Sequence, residues 1–339
     1  MPPPRIERGL QVPETCVISF SPRGRKLYGV THSLARRQPD EPSGRTFGML
    51  SSFRYRLLAP GKVNLNLSVV GVRPDGYHDL VSDMCPVSIW DHIVLEGAPA
   101  RECRIQVECR PDSLPQGDQN LVYRAAVEFL AAVGGALDLR VSIDKGIPAG
   151  AGLGGGSSDA ASCLVFLNRL CGFPLEGAEL IRLATAIGAD VPFFVRGRPA
   201  RIGGIGEILG KLDYRPRSWI VVLFDGTHLS TARVFEEFDR SLTRQSDQSI
   251  NRDAERPTQA GLHNQLESAA CRIYPGIQSL KQQLTELGAV ESRMTGSGSA
   301  VFGFFDGAPS AQFAAHSLRQ RGLWARSAHV LHATPVAIG

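Results

Sequence analysis

The chain has no apolar run long enough to read as a membrane span, and no continuous apolar stretch that argues for a secretory signal. It also has no Cys-x-x-Cys pair. Its seven cysteines, at 16, 85, 103, 109, 163, 171 and 271, are an odd number, which argues against a disulfide framework or a zinc site and for a reducing, cytoplasmic setting. Neither sign of charge dominates. With 37 Lys and Arg against 33 Asp and Glu, nucleic acid is not the expected partner, although local basic patches could meet an anionic small molecule. No internal repeat is visible, and no G-x-x-x-x-G-K-[ST] motif, so a P-loop is excluded. A composition of 43% hydrophobic and 21% charged residues over 339 positions suits a soluble globular chain with two domains, each able to build a core.

What the chain does have is a concentrated glycine segment, Pro148-Ala-Gly-Ala-Gly-Leu-Gly-Gly-Gly-Ser-Ser-Asp-Ala-Ala161. Gly150, Gly152, Gly154, Gly155 and Gly156 let the backbone turn and bring several N–H groups near an anion. Ser157, Ser158 and Asp159 suit a helix N-terminus, which favours negative charge. The run 160–170 beyond them is apolar on nearly every face and reads as a buried helix. A plain Gly/Ser linker would not run straight into such a helix. The window from Gly150 to Gly155 matches G-x-G-x-x-G formally, and a dinucleotide loop stays an alternative, but the strand 139–143 ends six residues too early for it.

Residues 1–48, with Pro2-Pro-Pro4 and scattered arginines, read as a largely disordered extension, with Met49 as the expected functional start. Alternation from Phe53 predicts a strand, and a second comes after Ala59-Pro-Gly61 over 63–69, with Lys62 opening it and Asn64, Asn66 and Ser68 on one face. Taken alone, such a lysine and asparagines read as solvated edge residues. Pro74-Asp-Gly76 is turn chemistry that presents Tyr77 and His78 at its exit. Strands over 84–90, 91–96 and 103–108 predict an antiparallel meander, and 120–133 an amphipathic helix.

A helix over 179–187 is expected to end with Gly188 at its C′ position, and Pro192 to prevent its resumption, leaving Val191 extended. Asp190 then sits in an otherwise apolar corner, either as a turn cap or, needing a partner for its charge, beside a cation or in proton transfer. Beyond, 219–224 reads as a buried strand and 230–238 as a helix capped at Ser230-Thr231. Residues 239–261 read as a polar surface excursion, and 264–271, 277–287 and 310–321 as helices. A second glycine-serine loop lies at Thr295-Gly-Ser-Gly-Ser299.

Taken together, Pro60-Gly-Lys-Val-Asn-Leu-Asn-Leu67, Arg73-Pro-Asp-Gly-Tyr-His78, Gly152-Leu-Gly-Gly-Gly-Ser-Ser-Asp-Ala-Ala161, Gly188-Ala-Asp-Val-Pro-Phe-Phe194 and Thr295-Gly-Ser-Gly-Ser299 resemble the motifs of the GHMP small-molecule kinases over roughly 53–305. The first four resemble specifically the branch that phosphorylates the 2-hydroxyl of 4-diphosphocytidyl-2-C-methyl-D-erythritol. Departures from that pattern are Gly61 for Ala, Asp79 for Glu, the segment 1–48 and the polar insert 239–261. The resemblance implies an α+β fold of two domains, one related to ribosomal protein S5 domain 2 over 49–208 and a ferredoxin-like one over 209–335. It implies ATP and Mg²⁺ as cofactors, Pro148, Ala149, Gly150, Ala151, Gly152, Leu153, Gly154, Gly155, Gly156, Ser157 and Ser158 as the phosphate cradle, and Ser157 or Ser158 as a metal ligand. By the same resemblance Asp190 is the base and Lys62 its cation. Tyr77 and Phe235 would stack a cytidine whose edge His78 bonds, with Asn64 and Thr231 near the erythritol. A small-molecule substrate, no nucleic acid, no membrane and a monomer or weak homodimer complete the expectation. A homoserine or mevalonate type GHMP kinase, a non-catalytic GHMP-fold binding protein and a nicotinamide oxidoreductase remain rival readings.

Overall fold

A computed structural model describes residues 16–17, 51–74, 76–204, 206–244 and 262–334. The first strand, β1 (Cys16–Val17), pairs in parallel with Tyr55 and Arg56 of β2 (Phe53–Val72). Those two residues are the described part of the extension 1–48. The rest of 1–48, and Met49, lie outside the described residues.

The two expected early strands are one, β2, because a register slip between Pro60 and Gly61 absorbs the proline instead of ending the strand. Likewise the segments 84–90 and 91–96 belong to a single long partner, β3 (His78–Pro99). The expected meander is not formed. β4 (Arg104–Arg110), α1 (Leu121–Val133) and β5 (Leu137–Asp144) make a crossover instead, so β5 inserts between β3 and β4, antiparallel to the first and parallel to the second. The alternation in β5 explains why: Leu137, Leu139, Val141 and Ile143 all face the core while their neighbours are exposed. Asn120 caps α1, its side chain accepting from the Val122 N–H at 2.9 Å.

Over this sheet lie α1, α2 (Gly155–Leu170), α3 (Gly177–Ile187) and α4 (Val191–Arg196), burying Phe129, Leu164, Leu167, Phe193 and Phe194 in one core. As expected from its composition, α2 is buried along most of its length. A hairpin of β6 (Ala200–Gly204) and β7 (Ile208–Lys211) extends the sheet beside β3.

The remaining elements are β8 (Trp219–Phe224), α5 (Thr231–Arg244), β9 (His263–Asn264), α6 (Glu267–Ile273), α7 (Gly276–Glu286), β10 (Glu291–Met294), β11 (Val301–Phe305), α8 (Ala308–Gln320) and β12 (Trp324–His329). Their four-stranded antiparallel sheet has the order β10-β11-β8-β12, the ferredoxin-like arrangement. The polar excursion begins later than expected. Val234, Phe235, Phe238 and Leu242 keep a helical apolar stripe going, so α5 runs through Asp239 to Arg244, and 245–261 lie outside the described residues.

The two halves share structure. β9 adds to β2 at Asn66 and Leu67, and Val63, Leu65, Ile147, Ala151 and Leu153 pack with Ile220, Val222, Phe302 and Phe304 in a common apolar cluster. That seam carries the site. Among the described residues no helix is long and apolar enough to cross a membrane.

Candidate active site

Lys62 comes just after the register slip in β2, and its backbone N–H donates to the Leu153 carbonyl at 2.9 Å, tying the strand to the glycine loop. It is not a solvated edge residue. Only 4% of it is exposed; its Nζ donates to Asn64 Oδ1 at 2.5 Å and stands 3.8 Å from Asp190 Oδ2. Burial pushes the ammonium below the ordinary lysine value, and the Asp190 carboxylate restores part of that loss.

Asp190 occupies the N-cap position of α4 with φ −85° and ψ −11°, yet its side chain makes no capping hydrogen bond. This weakens the turn-cap reading. The carboxylate side chain is 37% exposed, at the rim of the corner formed by Val191, Pro192, Phe193 and Phe194, all buried. The expectation that Val191 is extended is corrected, because Pro192 falls in the first turn of α4, where its missing N–H has no intrahelical partner to lose. Gly188 does close α3, donating to the Ala184 carbonyl at 3.2 Å, but with extended backbone (φ 176°) that any residue adopts.

The glycine loop packs closely against this pair. A Cβ on Gly154 (φ +70°) would lie 2.9 Å from the Phe194 ring and 3.1 Å from Lys62 Cγ. One on Gly152 (φ +80°) would lie 2.4 Å from the Thr295 carbonyl. Only glycine fits either place. Ala151 and Leu153 point into the shared core, Pro148 and Ser157 are half-buried, and Ala149, Gly150 and Gly156 face solvent. Ser158 is fully buried, and its Oγ has no hydrogen-bond partner.

The second glycine loop closes the site from the other half. Thr295 Oγ1 accepts from the Asn64 N–H at 3.1 Å and donates to Asn64 Oδ1 at 3.2 Å, while Gly296 lies so near Lys62 that a Cβ would stand 3.3 Å from Nζ. Asn264 holds that loop, donating to the Met294 and Gly296 carbonyls at 2.9 Å each. Thr231, opening α5, meets Ser297 across 2.8 Å between hydroxyls.

One turn along α5, Phe235 stacks on the His78 ring at 4.7 Å between centroids and 25° between planes. Phe238 meets the same ring edge-on, and His78 Nε2 is 2.8 Å from Asp239 Oδ1. Tyr77 stands beside it, 65% exposed. The structure thus gathers Lys62, Asn64, Asp190 and the loop 150–158 into one cluster, His78 and Phe235 into another, and joins them through α5 and Ser297. Sequence reasoning missed Asp239, Asn264 and a buried ion cluster under the loop, Lys145 with Asp91 and Asp159. Asp91 and Lys145 are 54 positions apart, and no local pattern links them.

Two family models match the chain, the GHMP kinases N terminal domain over 120–198 and the GHMP kinases C terminal domain over 240–322. It is 40% identical over 275 residues to the 4-diphosphocytidyl-2-C-methyl-D-erythritol kinase of Geobacter sp. (strain M21), covering 80% of this chain and 96% of that one. Against the enzyme of the same name from Syntrophus aciditrophicus (strain SB) it is 39% identical, with the same coverage. A crystal structure of 4-(cytidine 5'-diphospho)-2C-methyl-D-erythritol kinase superposes with a TM-score of 0.64 at 36% identity, covering 82% of this chain and 99% of that one. Such identity over nearly the whole length of these relatives means that the chain belongs to the GHMP kinases and, within them, to the 4-diphosphocytidyl-2-C-methyl-D-erythritol kinase family.

Proposed function

We propose that the protein transfers the γ-phosphoryl group of ATP to the 2-hydroxyl of 4-diphosphocytidyl-2-C-methyl-D-erythritol, in the cytoplasm and as a monomer or weak homodimer. The observation that carries this reading is the buried Lys62 ammonium between Asn64 and Asp190, packed against the glycine loop at Gly154. Asp190 accepts the hydroxyl proton as the new O–P bond forms, and ADP leaves as the bond to the β-phosphate breaks. Lys62 stabilises the negative charge on the attacking oxygen, the more strongly for being desolvated. The loop N–H groups at 150–158 hold the phosphates.

Mg²⁺ supplies neutralisation of the phosphate charge in such transfers. Among the described residues no cluster of three acidic, His or Cys side chains could cage a metal. The residues that would hold such an ion are the half-buried Ser157 or Ser158, whose buried hydroxyl has no hydrogen-bond partner. The same reading assigns 49–208 to the nucleotide and 209–335 to closing the site, and places the cytosine at Tyr77, His78 and Phe235, with Asn64 and Thr231 toward the erythritol.

Release of ADP, measured with the diphosphocytidyl alcohol and in parallel with homoserine and mevalonate, tests the reading. Turnover only with the diphosphocytidyl alcohol is expected, and turnover only with a rival alcohol would reject it. Replacing His78 with Ala should raise KM for the cytidine substrate tenfold or more and leave KM for ATP within about twofold, because a site built to bond a base edge is left unpaired. Equal changes in both would remove His78 from the base pocket.

A further inference from the structure

A cavity of about 410 Å³ lies where α4 ends, and none of its lining residues belongs to the catalytic cluster. Asp190 stands at the other end of that helix, about 9 Å along its axis at the usual helical rise. Three segments far apart in the chain build the cavity. Arg196 and Arg198 come from the end of α4 and the turn after it, Lys211 closes β7 with Arg215 following in the connection to β8, and His332 lies beyond β12. Backbone bonds fix the pieces: the Thr334 N–H donates to the Gly197 carbonyl at 2.7 Å, and the Val330 N–H to the Ser218 carbonyl at 2.9 Å. Tyr214 forms part of the wall, its hydroxyl donating to the buried Asp83 carboxylate at 2.9 Å and accepting from Asn66 Nδ2 at 3.4 Å. The wall is thus anchored before any ligand arrives.

Charge in this cavity is one-sided. Arg196, Arg198, Lys211 and Arg215 bring four cations, and Asp213 the single carboxylate. That aspartate is 82% exposed and stands 3.8 Å from a different residue, Arg201. Neighbouring arginines show what a structural cation has here: Arg201 is paired with the buried Asp83 at 2.8 Å, and Arg217 stands 3.7 Å from Asp306. Among the described residues none of the four lining cations has such a carboxylate partner. Arg215 Nη2 faces a ring nitrogen of His332 instead, at 3.4 Å. Arg196 adds an independent mark, because its Nε is buried with no hydrogen-bond partner among the described residues. A solvated basic face keeps its donors in water. A buried guanidinium N–H left unpaired costs stability until an acceptor reaches it, and like charges gathered in one concavity repel until an anion neutralises them.

We infer that this cavity binds a diphosphate group, as inorganic pyrophosphate or on a small organic molecule, at a site separate from the one that carries the reaction. Guanidinium forks match phosphate oxygens two at a time, and the Lys211 ammonium adds a point charge, so three arginines and a lysine suit two linked phosphoryl groups. The volume is that of a small-ligand site. A polymeric anion fits less well, since the whole chain carries a formal net charge of only +4. This site stands whether or not the glycine loop holds ATP.

Titration calorimetry of the whole protein with inorganic pyrophosphate, in metal-free buffer of low ionic strength, tests the assignment. The double variant Arg198→Ser with Lys211→Ser changes two exposed side chains outside the catalytic cluster, so its Tm, kcat and KM for ATP should stay close to wild type. Wild type should show a pyrophosphate binding event that the variant weakens at least about tenfold, the worth of losing two charge-assisted contacts. Added salt should weaken it as well. Equal affinity in the two proteins overturns the proposal, as does an absence of binding by wild type. Inorganic phosphate should bind at least about tenfold more weakly than pyrophosphate, because one phosphoryl group reaches fewer of the four cations, and equal binding would overturn the diphosphate assignment. ADP titrated in parallel separates the sources. An ADP event lost in the double variant means that a nucleoside diphosphate fits, and a pyrophosphate event without an ADP counterpart restricts the site to a smaller ligand; each supports the site. Binding of single-stranded RNA or phosphatidylserine vesicles without binding of pyrophosphate would overturn it, since an open basic surface would then be at work. Should the double variant not fold, Lys211→Ser alone, at the exposed end of β7, gives the same comparison with a smaller loss. A pyrophosphate event that persists in a protein failing to release ADP with any of the three alcohols would reject the kinase reading and leave this site in place.

Discussion

Asp190→Asn should lower kcat by roughly 10²–10⁴-fold, the usual worth of a general base, while leaving KM for ATP nearly unchanged. The substitution preserves shape, and the Asp190 side chain makes no capping bond that the amide would lose. Any stability cost comes from the buried Lys62 ammonium losing the carboxylate 3.8 Å away, so turnover rather than Tm separates a base from a cap. A cap, by contrast, would cost about 1 kcal/mol and spare turnover. Lys62→Met should reduce kcat to a similar degree. Removing the lysine leaves Asp190 37% exposed and still hydrated, and Asn64 Oδ1 keeps its bond from Thr295, so the fold has little reason to fail. The double variant should be little worse than either single one, because the two groups act as a unit. Measuring kcat and Tm together on Asp190→Asn is decisive: full turnover in a stable protein would remove Asp190 from the chemistry.

Much of this arrangement could be read in the chain, and the parts that could not have a common cause. Local patterns carried the buried helix after the glycine loop, the strand 219–224 and the helix stripes of α1 and α8, since each is a periodicity within one element. Strand pairing is not local. β4 and β5 are linked by α1 and pair with each other, and a run of short strand signals gave no hint that β5 would displace β4 from β3. The break expected at Pro60 and the extended Val191 before Pro192 failed for one reason. Proline ends an element only if its N–H would have been used, and a bulge in one case and a helix's first turn in the other left that N–H unneeded.

The site was legible in the same uneven way. Tyr77 and His78 stood out because a turn does not require them, and Asp190 because apolar residues surround it. Lys62 and Asn64 looked like edge residues until the fold laid Thr295 and Gly296 of the far half over them. Residues whose meaning depends on a partner more than fifty positions away, such as Asp91 with Lys145 or His78 with Asp239, carry no mark of it in their own neighbourhood.

Gly154→Val should abolish measurable ATP binding, or weaken it by far more than tenfold, while the diphosphocytidyl alcohol still binds. Two effects combine. At φ +70° a β-branched residue is a steric outlier, costing roughly 1–2 kcal/mol in the left-handed region. The new Cβ would also stand 2.9 Å from Phe194 and 3.1 Å from Lys62, so that loop, lysine and α4 must separate. Because Phe194 is buried and belongs to the helix that Asp190 opens, part of the loss will appear as a lower Tm. Gly156→Ala isolates the other part. Its position is exposed and helical, the nearest atom to an added Cβ is Leu121 Cδ1 at 3.9 Å, and alanine there should hold or raise stability, by up to about 1 kcal/mol. Nothing in the fold objects to that methyl group. If phosphates approach the bare backbone at the head of α2, it should nonetheless raise Kd for ATP at least severalfold with Tm unchanged or higher. Wild-type ATP affinity in both folded variants would mean that the phosphates lie elsewhere, and that the glycines serve only to let the loop pass beneath Thr295 and Phe194.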